Sequence, residues 1–252
     1  ASGSYALKSN TTASYNAAFG SCALYTNTTA SNNTAVGFKA LVANTTGCRN
    51  TSVGACALRQ NTIGFCNTAV GFEALRQNTT GCKNTAVGMS SQQSSTTGCC
   101  NTTLGRASLY GITTGSNNTA IGAIAGGSSV MTGNTNTFLG ACAGGAITSG
   151  SNNIFIGYCA GKESAHTTQS NCIIIGNGNV GSGKMCVNSF AFSGSVSKSS
   201  GSFRIVHPDP AKSETKDLWH SFVESPNEGD NIYRYSVETT NCRYVVELPD
   251  YY

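Results

Sequence analysis

Charged side chains are scarce in this chain of 252 residues: they make up 10% of it, against roughly 25% in a typical globular domain. Aromatic residues account for 8%, and there are only four prolines and one tryptophan. No apolar run approaches the roughly 20 residues of a transmembrane helix, so the sequence predicts no membrane insertion. The few basic residues form no cluster interleaved with aromatic ones, which argues against nucleic-acid binding.

The scarce charge is unevenly placed, and this divides the chain. Residues 1–190 carry nine Lys/Arg and two Asp/Glu, a net charge of +7, whereas residues 191–252 carry six and nine, a net charge of −3, which together give +4. All four prolines and Trp219 also lie in the second part. We therefore predict a lead-in at 1–15, a repeat region at 16–190, a Ser/Gly linker at 191–202 and a small β-rich domain at 203–252, with strands at Tyr233–Val237 and Cys242–Leu248.

The abundant residues, Asn, Thr, Ala and Gly, are ordered in a repeat. Asparagine recurs every 17 residues, with one slip to 18, and a shifted last copy ends in Ile173-Ile174-Ile175-Gly176. The nine regular copies begin at Asn16, Asn33, Asn50, Asn67, Asn84, Asn101, Asn118, Asn136 and Asn153. A unit of this length is too short for a helical repeat, which needs 20 residues or more. The pattern predicts an all-β parallel solenoid of ten coils, a rod about 45 Å long at about 4.8 Å per coil.

Each copy has the same order of residue types. A large apolar residue comes three positions after the Asn, glycine follows it, and Ala or Ser comes three positions further on, as in Val70, Gly71 and Ala74. We interpret one coil as a short strand, a bend that glycine permits, a second short strand and a glycine turn.

The strands predict association with other chains. Later strands such as Ile154-Phe155-Ile156 are apolar on both faces, and such a strand must be covered on both faces. One face can fill the interior of the coil, but a coil of this size cannot cover the other, so we predict a homotrimer with cyclic symmetry. The alternative is a monomeric roll with alanine on its outside.

Units such as Asn67-Thr68-Ala69-Val70-Gly71-Phe72-Glu73-Ala74-Leu75 resemble the head repeats of trimeric adhesins and repeats in the tail fibres of phages and large viruses. The resemblance covers about residues 16–176 and implies a trimeric, left-handed parallel β-roll. The end of the chain resembles a module of phage and virus fibre proteins that a self-cleaving chaperone often follows. The resemblance lies in Phe203–Pro208, Leu218–Pro226, Asn231–Tyr233 and Leu248–Tyr251. We therefore expect a fibre component or a processed fragment.

The twelve cysteines are spread through the repeat and form no CxxC cluster, so we predict no metal site. Two pairs, Cys82 with Cys99 and Cys142 with Cys159, fall at equivalent positions of adjacent coils. Stacked neighbours are within reach of a disulfide bond. Small buried thiols that replace Ala or Ser are the other interpretation, and the sequence leaves both open.

The sequence offers only weak candidates for catalytic residues. We predict that the chain is not an enzyme and that it has no catalytic, cofactor-binding or metal-binding residue. His207 and His220 lie near Asp209, Ser221 and Glu224, but no glycine-flanked elbow surrounds the serine. The alternation in Leu218–Val223 predicts a half-buried strand instead. We interpret His166 as an exposed loop residue. An enzyme acting on polysaccharide needs paired carboxylates. The repeat region contains only two acidic residues, Glu73 and Glu163, which are ninety positions apart, so one chain cannot supply the pair.

Two further features come from the repetition itself. Sequons at Asn10, Asn44, Asn78 and Asn101 are generated by recurring Asn-Thr-Thr, so they are weak evidence for glycosylation. The repeated threonines suggest an ice-binding face as a remote alternative, although neighbouring hydroxyls would face opposite sides and the column is broken at Val130. That column contains Thr28, Thr45, Thr62, Thr79, Thr96 and Thr113.

The composition and the resemblance together predict a structural and adhesive trimeric fibre, on a virion or outside a cell. Its predicted partners are other fibre or virion components and a cell-surface glycan or protein, through residues the sequence does not reveal. A bacterial surface adhesin or extracellular filament subunit is the alternative.

Overall fold

The computed structural model describes residues 1–127, 129–162 and 167–176, together with the backbone of two strands further along the chain. The chain divides into two compact units, Ala1–Asn188 and Ser189–Tyr252. The predicted strands Tyr233–Val237 and Cys242–Leu248, and residues 191–201 of the predicted linker, lie outside the described residues.

The first unit is a parallel β-solenoid, as predicted. Ten strands of three residues pair in chain order within one parallel sheet, so that nine complete turns separate the first from the last. The pairing is in register between equivalent positions, for example Thr51 with Thr68 and Val53 with Val70. The strands are Ala17–Phe19 (β1), Thr34–Val36 (β2), Thr51–Val53 (β3), Thr68–Val70 (β4), Thr85–Val87 (β5), Thr102–Leu104 (β6), Thr119–Ile121 (β7), Thr137–Leu139 (β8), Ile154–Ile156 (β9) and Ile173–Ile175 (β10).

Each of the first nine strands buries its middle residue and turns the other two outward, and the middle residue of β10, Ile174, is half-buried. In β4, Ala69 is fully buried, whereas Thr68 is half-buried and Val70 is exposed. This alternation confirms that the first and third residues share one face. The outward placement of alanine in the alternative prediction is therefore wrong, because the strand alanines fill the interior and the Val, Leu, Ile and Phe side chains at the third strand position point outward.

Among the described residues, no coil has the second strand that the sequence predicted. The chain after the glycine forms two tight turns instead: in coil 4, which begins at Asn67, the Ala74 amide donates to the Gly71 carbonyl, and the Asn78 amide donates to the Leu75 carbonyl. Leu75 has a φ of 52°, a left-handed conformation that costs a non-glycine residue roughly 1–2 kcal/mol. Its full burial and the hydrogen bond from its amide to the Ser91 carbonyl of the next coil offset that cost.

The glycine after each strand is required both by its conformation and by close stacking. Gly71 has a φ of +138°, and a Cβ built on it would lie 2.5 Å from the carbonyl oxygen of Gly88 in the next coil. No side chain fits at that distance. Adjacent coils therefore touch backbone to backbone along this edge.

The solenoid begins before the predicted start at Asn16. The segment 1–15, predicted as a lead-in, stacks on the first coil: the Ser2 amide donates to the Ala18 carbonyl, and Gly3 has the same positive φ as Gly20. Asn10 joins the asparagines of later coils by accepting a hydrogen bond from Asn27. The sequence concealed this coil because it lacks the strand signature Thr-Ala-Val.

Two columns of buried asparagine hold the coils together. In the first, each side-chain oxygen accepts the backbone amide of the next Asn, as Asn67 Oδ1 does from Asn84 at 3.0 Å, while Asn67 Nδ2 donates to the Gly81 carbonyl at 2.8 Å. In the second, amide side chains bond directly to each other, as Asn78 Nδ2 does to Asn61 Oδ1 at 2.7 Å. The first column comprises the nine Asn of the repeat, and the second comprises Asn10, Asn27, Asn44, Asn61 and Asn78.

The apolar core lies inside the coils in two clusters. The first cluster extends to Leu75 and Ala86, and the second begins at Leu109. Polar side chains fill the interior between them, with Ser91, Gln92, Ser95, Thr103 and Ser108 all buried. In the second cluster Phe138 and Phe155 replace the strand alanine, and Gly144 and Gly161 replace the leucine of the turn. A Cβ at Gly144 would collide with the ring of Phe138, so the two replacements compensate each other in volume.

Within the second unit, the strands Ser202–Val206 (β11) and Asp217–Ser221 (β12) pair antiparallel, with Arg204 opposite Trp219. The strand predicted at Leu218–Val223 is therefore present at 218–221, and its last two predicted residues lie outside the described residues.

Candidate interaction surface

The outward face of the ten-stranded sheet carries one apolar column along all ten strands. The third residue of every strand belongs to it, and we call it the outer strand column. Its members are Phe19, Val36, Val53, Val70, Val87, Leu104, Ile121, Leu139, Ile156 and Ile175. Eight of them are at least 36% exposed, with Phe19 at 52% and Leu104 at 50%. The sheet buries its inner face, but nothing among the described residues covers this outer one.

A second set of large apolar residues widens this surface. Phe38, Phe72, Met89 and Tyr158 stand two positions after the outer strand column, across the bend at the glycine, and all are exposed. They were not predicted from the sequence. A large apolar residue follows the glycine in four coils, but the smaller Ser21, Ala55, Ala123 and Ala141 and the charged Arg106 at equivalent positions weakened this signal.

Charge is kept away from the sheet face. None of the ten three-residue strands contains a charged residue. At three residues by ten strands the face measures about 10 Å by 43 Å. Threonine occupies the first strand position in seven of the ten strands, so the apolar part of this face is the outer strand column. An exposed, contiguous apolar patch is typical of a site of interaction.

The threonine column proposed for ice is occupied by structural hydrogen bonds. Thr45, Thr62 and Thr79 each donate from Oγ1 to the carbonyl of the equivalent threonine in the next coil, at 3.0 to 3.1 Å. The residue that interrupts this column is Met131 rather than the predicted Val130, since Thr113 bonds to the Met131 carbonyl. An adjacent column, with Thr46, Thr80 and Thr97, is exposed, but Ile63 interrupts it.

Three of the four sequons named from the sequence are inaccessible. Asn44, Asn78 and Asn101 are fully buried in the two asparagine columns. Asn10 is half-buried and bonds to the Ala13 carbonyl. A folded solenoid therefore cannot present the three buried side chains for glycosylation.

The residues weighed as catalytic candidates are only partly described. His166, His207, Asp209, Glu163 and Glu224 lie outside the described residues. The backbone of His220 and Ser221 belongs to β12. Glu73 accepts a hydrogen bond from Gln93 and lies 3.8 Å from the Arg76 guanidinium, which makes it a partner in a surface ion pair.

The two stacked cysteine pairs differ. The Sγ atoms of Cys82 and Cys99 are 2.8 Å apart and share a hydrogen bond. Cys142 and Cys159 share no hydrogen bond of this kind, and a hydrogen bond with Cys159 raises the pKa of Tyr158. All ten cysteines in the described part of the chain are free thiols.

Within that part of the chain, no group of three or more His, Cys, Asp or Glu side chains is placed to hold a metal ion. The same residues include no helix with the length and hydropathy needed to span a bilayer.

No protein-family model matches the chain, and neither does any curated protein or solved structure.

Proposed function

We propose that the chain is a subunit of a homotrimeric structural and adhesive fibre, and that the sheet faces of three chains pack against one another in it. The observation that carries the proposal is the outer strand column, an uncharged apolar column that runs along all ten strands of the sheet. Burying such a surface releases roughly 25 cal/mol per Å² of apolar area.

The periodicity of the column favours identical chains as its partner. Its side chains repeat once per coil, about every 4.8 Å, so a partner must offer a matching repeat over ten strands. Another copy of the chain, parallel to the first and related by rotation about an axis along the rod, meets this requirement by construction. The choice of three chains rests on the resemblance of the repeat to trimeric fibres and adhesins.

The proposed place of action is a virion surface or the exterior of a cell, and the proposed partner is a cell-surface glycan or protein. A bacterial adhesin or extracellular filament subunit remains the second candidate, supported by the same repeat. Two features favour a passive fibre over a catalyst. Adjacent coils stack backbone against backbone along the glycine edge, and the prominent exposed surface of the sheet is apolar.

Native mass spectrometry of the full chain tests the assembly. We expect a species of three times 25.9 kDa, about 78 kDa, at micromolar concentration. Replacing Val53 and Val70 with lysine should give a folded monomer, because three pairs of charges would be buried at the interface without partners. Lysine at the exposed Thr46 and Thr80, away from the sheet face, is the matched control and should leave the trimer intact. A folded wild-type monomer would contradict the proposal.

Adhesion needs a separate measurement. Fluorescently labelled trimer should bind host cells saturably, and pretreating the cells with glycosidases or with protease should show whether the receptor is glycan or protein. Trimer without saturable binding on any candidate host would leave the fibre structural and would contradict the adhesive part of the proposal.

A further inference from the structure

One interface between coils combines a weakened core with a pair of thiols in contact. It joins coil 4, which begins at Asn67, to coil 5, which begins at Asn84. The weakened core lies inside the two coils, whereas the thiols lie on their outer turn, so the two features are independent of each other.

The weakness is visible in the interior. Gln92 takes the place that Leu58 and Leu75 fill in earlier coils, and Ser95 takes the place of the next Asn in the second asparagine column. Among the described residues, Asn78 Oδ1 and Gln92 Oε1 consequently have no hydrogen-bond partner although both are buried. A buried polar atom without a partner is destabilising. Apolar packing is also interrupted here, since the first core cluster ends with coil 4 and the strand alanine of coil 5, Ala86.

The thiols lie on the outer turn of the same two coils. Cys99 Sγ accepts the backbone amide of Cys82 at 3.0 Å. Ser116 Oγ accepts the amide of Cys99 at the same distance, and Ser31 Oγ accepts that of Ser14. The column therefore normally holds a small side chain directed at the preceding coil. With cysteine in two successive coils, this direction brings the second sulfur to 2.8 Å from the first.

We propose that Cys82 and Cys99 form a reversible disulfide that cross-links coils 4 and 5 across the polar interruption of the core. A disulfide requires an S–S distance of about 2.05 Å, so the sulfurs need to approach by less than 1 Å. The bond joins residues that are 17 positions apart, and it limits the separation of coils where interior packing contributes least.

The reaction is a thiol–disulfide exchange with a small-molecule disulfide, such as oxidised glutathione, as the electron acceptor. Cys99, after losing its proton, attacks one sulfur of the acceptor and releases one thiolate. Cys82, after losing its proton, then attacks the Cys99 sulfur of the mixed disulfide and releases the second. The two protons from the cysteines and the two thiolates give two molecules of reduced thiol. Burial, with the hydrogen bond to Cys99, raises the pKa of the Cys82 thiol to about 11, which is consistent with Cys82 reacting second.

Peptide mapping of the full chain tests the bond. The protein is equilibrated in oxidising or reducing glutathione buffer, alkylated and digested with trypsin. Cleavage after Arg76, Lys83 and Arg106 places Cys82 in peptide 77–83, and Cys99 with Cys100 in peptide 84–106. We expect the two peptides to be linked in oxidising buffer and separate in reducing buffer. Alkylated Cys82 and Cys99 in oxidising buffer would overturn the proposal.

Serine variants assign the bond and keep the test independent of folding defects. Cys82→Ser and Cys99→Ser should each abolish the linked peptides, and both should fold because serine occupies this column at Ser31 and Ser116. Cys100→Ser is the control for the exposed neighbouring thiol and should leave the link unchanged. Loss of the link in Cys100→Ser, with retention in Cys99→Ser, would place the bond on Cys100 and refute our assignment.

A thermal readout tests the consequence for the coils. Oxidation should raise the Tm of the wild type by about 5–10 °C, and should leave the Tm of Cys82→Ser unchanged. An equal rise in the Tm of Cys82→Ser would assign the stabilisation to other thiols and would overturn the proposed cross-link between coils 4 and 5. These outcomes concern neighbouring coils of one chain, so they can succeed or fail independently of the proposed fibre.

Discussion

At the residue scale, the positions that tolerate least are those where backbone meets backbone. Gly71→Val combines a positive φ with a Cβ inside the contact distance of the Gly88 carbonyl. We expect a loss of at least 1–3 kcal/mol in the free energy of unfolding, the range for overpacking, seen as a lower Tm by circular dichroism. Thr80→Val, at an exposed position, is the matched control. An unchanged Tm for Gly71→Val would mean that the coils stack differently from the structure.

The buried asparagines give a second prediction at this scale. Asn67→Ala removes the acceptor of the buried Asn84 backbone amide, whereas the Gly81 carbonyl keeps the hydrogen bond that Asn78 donates to it. One unsatisfied buried group costs about 1–3 kcal/mol, so we expect a loss of about that size in the unfolding free energy measured by chemical denaturation. Thr80→Ala serves as the control. A loss below 1 kcal/mol would show that water or a backbone shift replaces the amide.

Single residues also show where the sequence was informative and where it was not. The spacing of Asn, Val and Gly identified the coil and its strand because those positions repeat with almost no exceptions. The turn after the glycine was misread as a strand, because nothing in the letters Ala74-Leu75 signals that the leucine adopts a left-handed φ. That conformation is set by burial and by the hydrogen bond to the next coil, which are tertiary effects.

At the element scale, two coils can fill the same interior space with different residues. Coil 4 fills its interior with Ala69 and Leu75, whereas coil 8, which begins at Asn136, uses Phe138 and Gly144. The repeat pattern alone showed that leucine gives way to glycine in later coils. It did not show why, because the compensating ring comes from the strand six residues earlier.

This compensation predicts a non-additive double mutant. Phe138→Ala alone should cost about 3–5 kcal/mol by leaving a cavity, and Gly144→Leu alone should be destabilising because its side chain meets the Phe138 ring. Together they recreate the interior of coil 4, so the double variant should be more stable than the sum of the two single losses by 1 kcal/mol or more. Unfolding free energies from urea denaturation measure the difference. Simple additivity would mean that the coil does not exchange volume in this way.

At the scale of the whole molecule, the direction of each strand face decides what the solenoid can do. The sequence predicted that one face needs cover but left open which residues point outward. In the structure the Val, Leu, Ile and Phe side chains at the third strand position point outward. The surface that was expected to need cover is therefore defined by its residues. The candidate surface was thus half predictable, since alternation fixes which residues share a face but not which face is inside.

The end of the solenoid raises the last prediction. Within the described residues β10 pairs only with β9, and its side chains Ile173 and Ile175 are exposed at 67% and 40%. An uncovered parallel strand with apolar side chains is prone to pair with other chains, and solenoids generally need a polar terminal cap.

We expect the region after Gly194 to supply that cap and to keep the three chains in register, so a chain ending at Gly194 should aggregate or lose its trimeric state. Size-exclusion chromatography with light scattering, compared with the full chain, measures this. A truncated protein that remained a soluble trimer but no longer bound cells would instead make the C-terminal region the receptor-binding tip, because assembly would then depend on the solenoid alone.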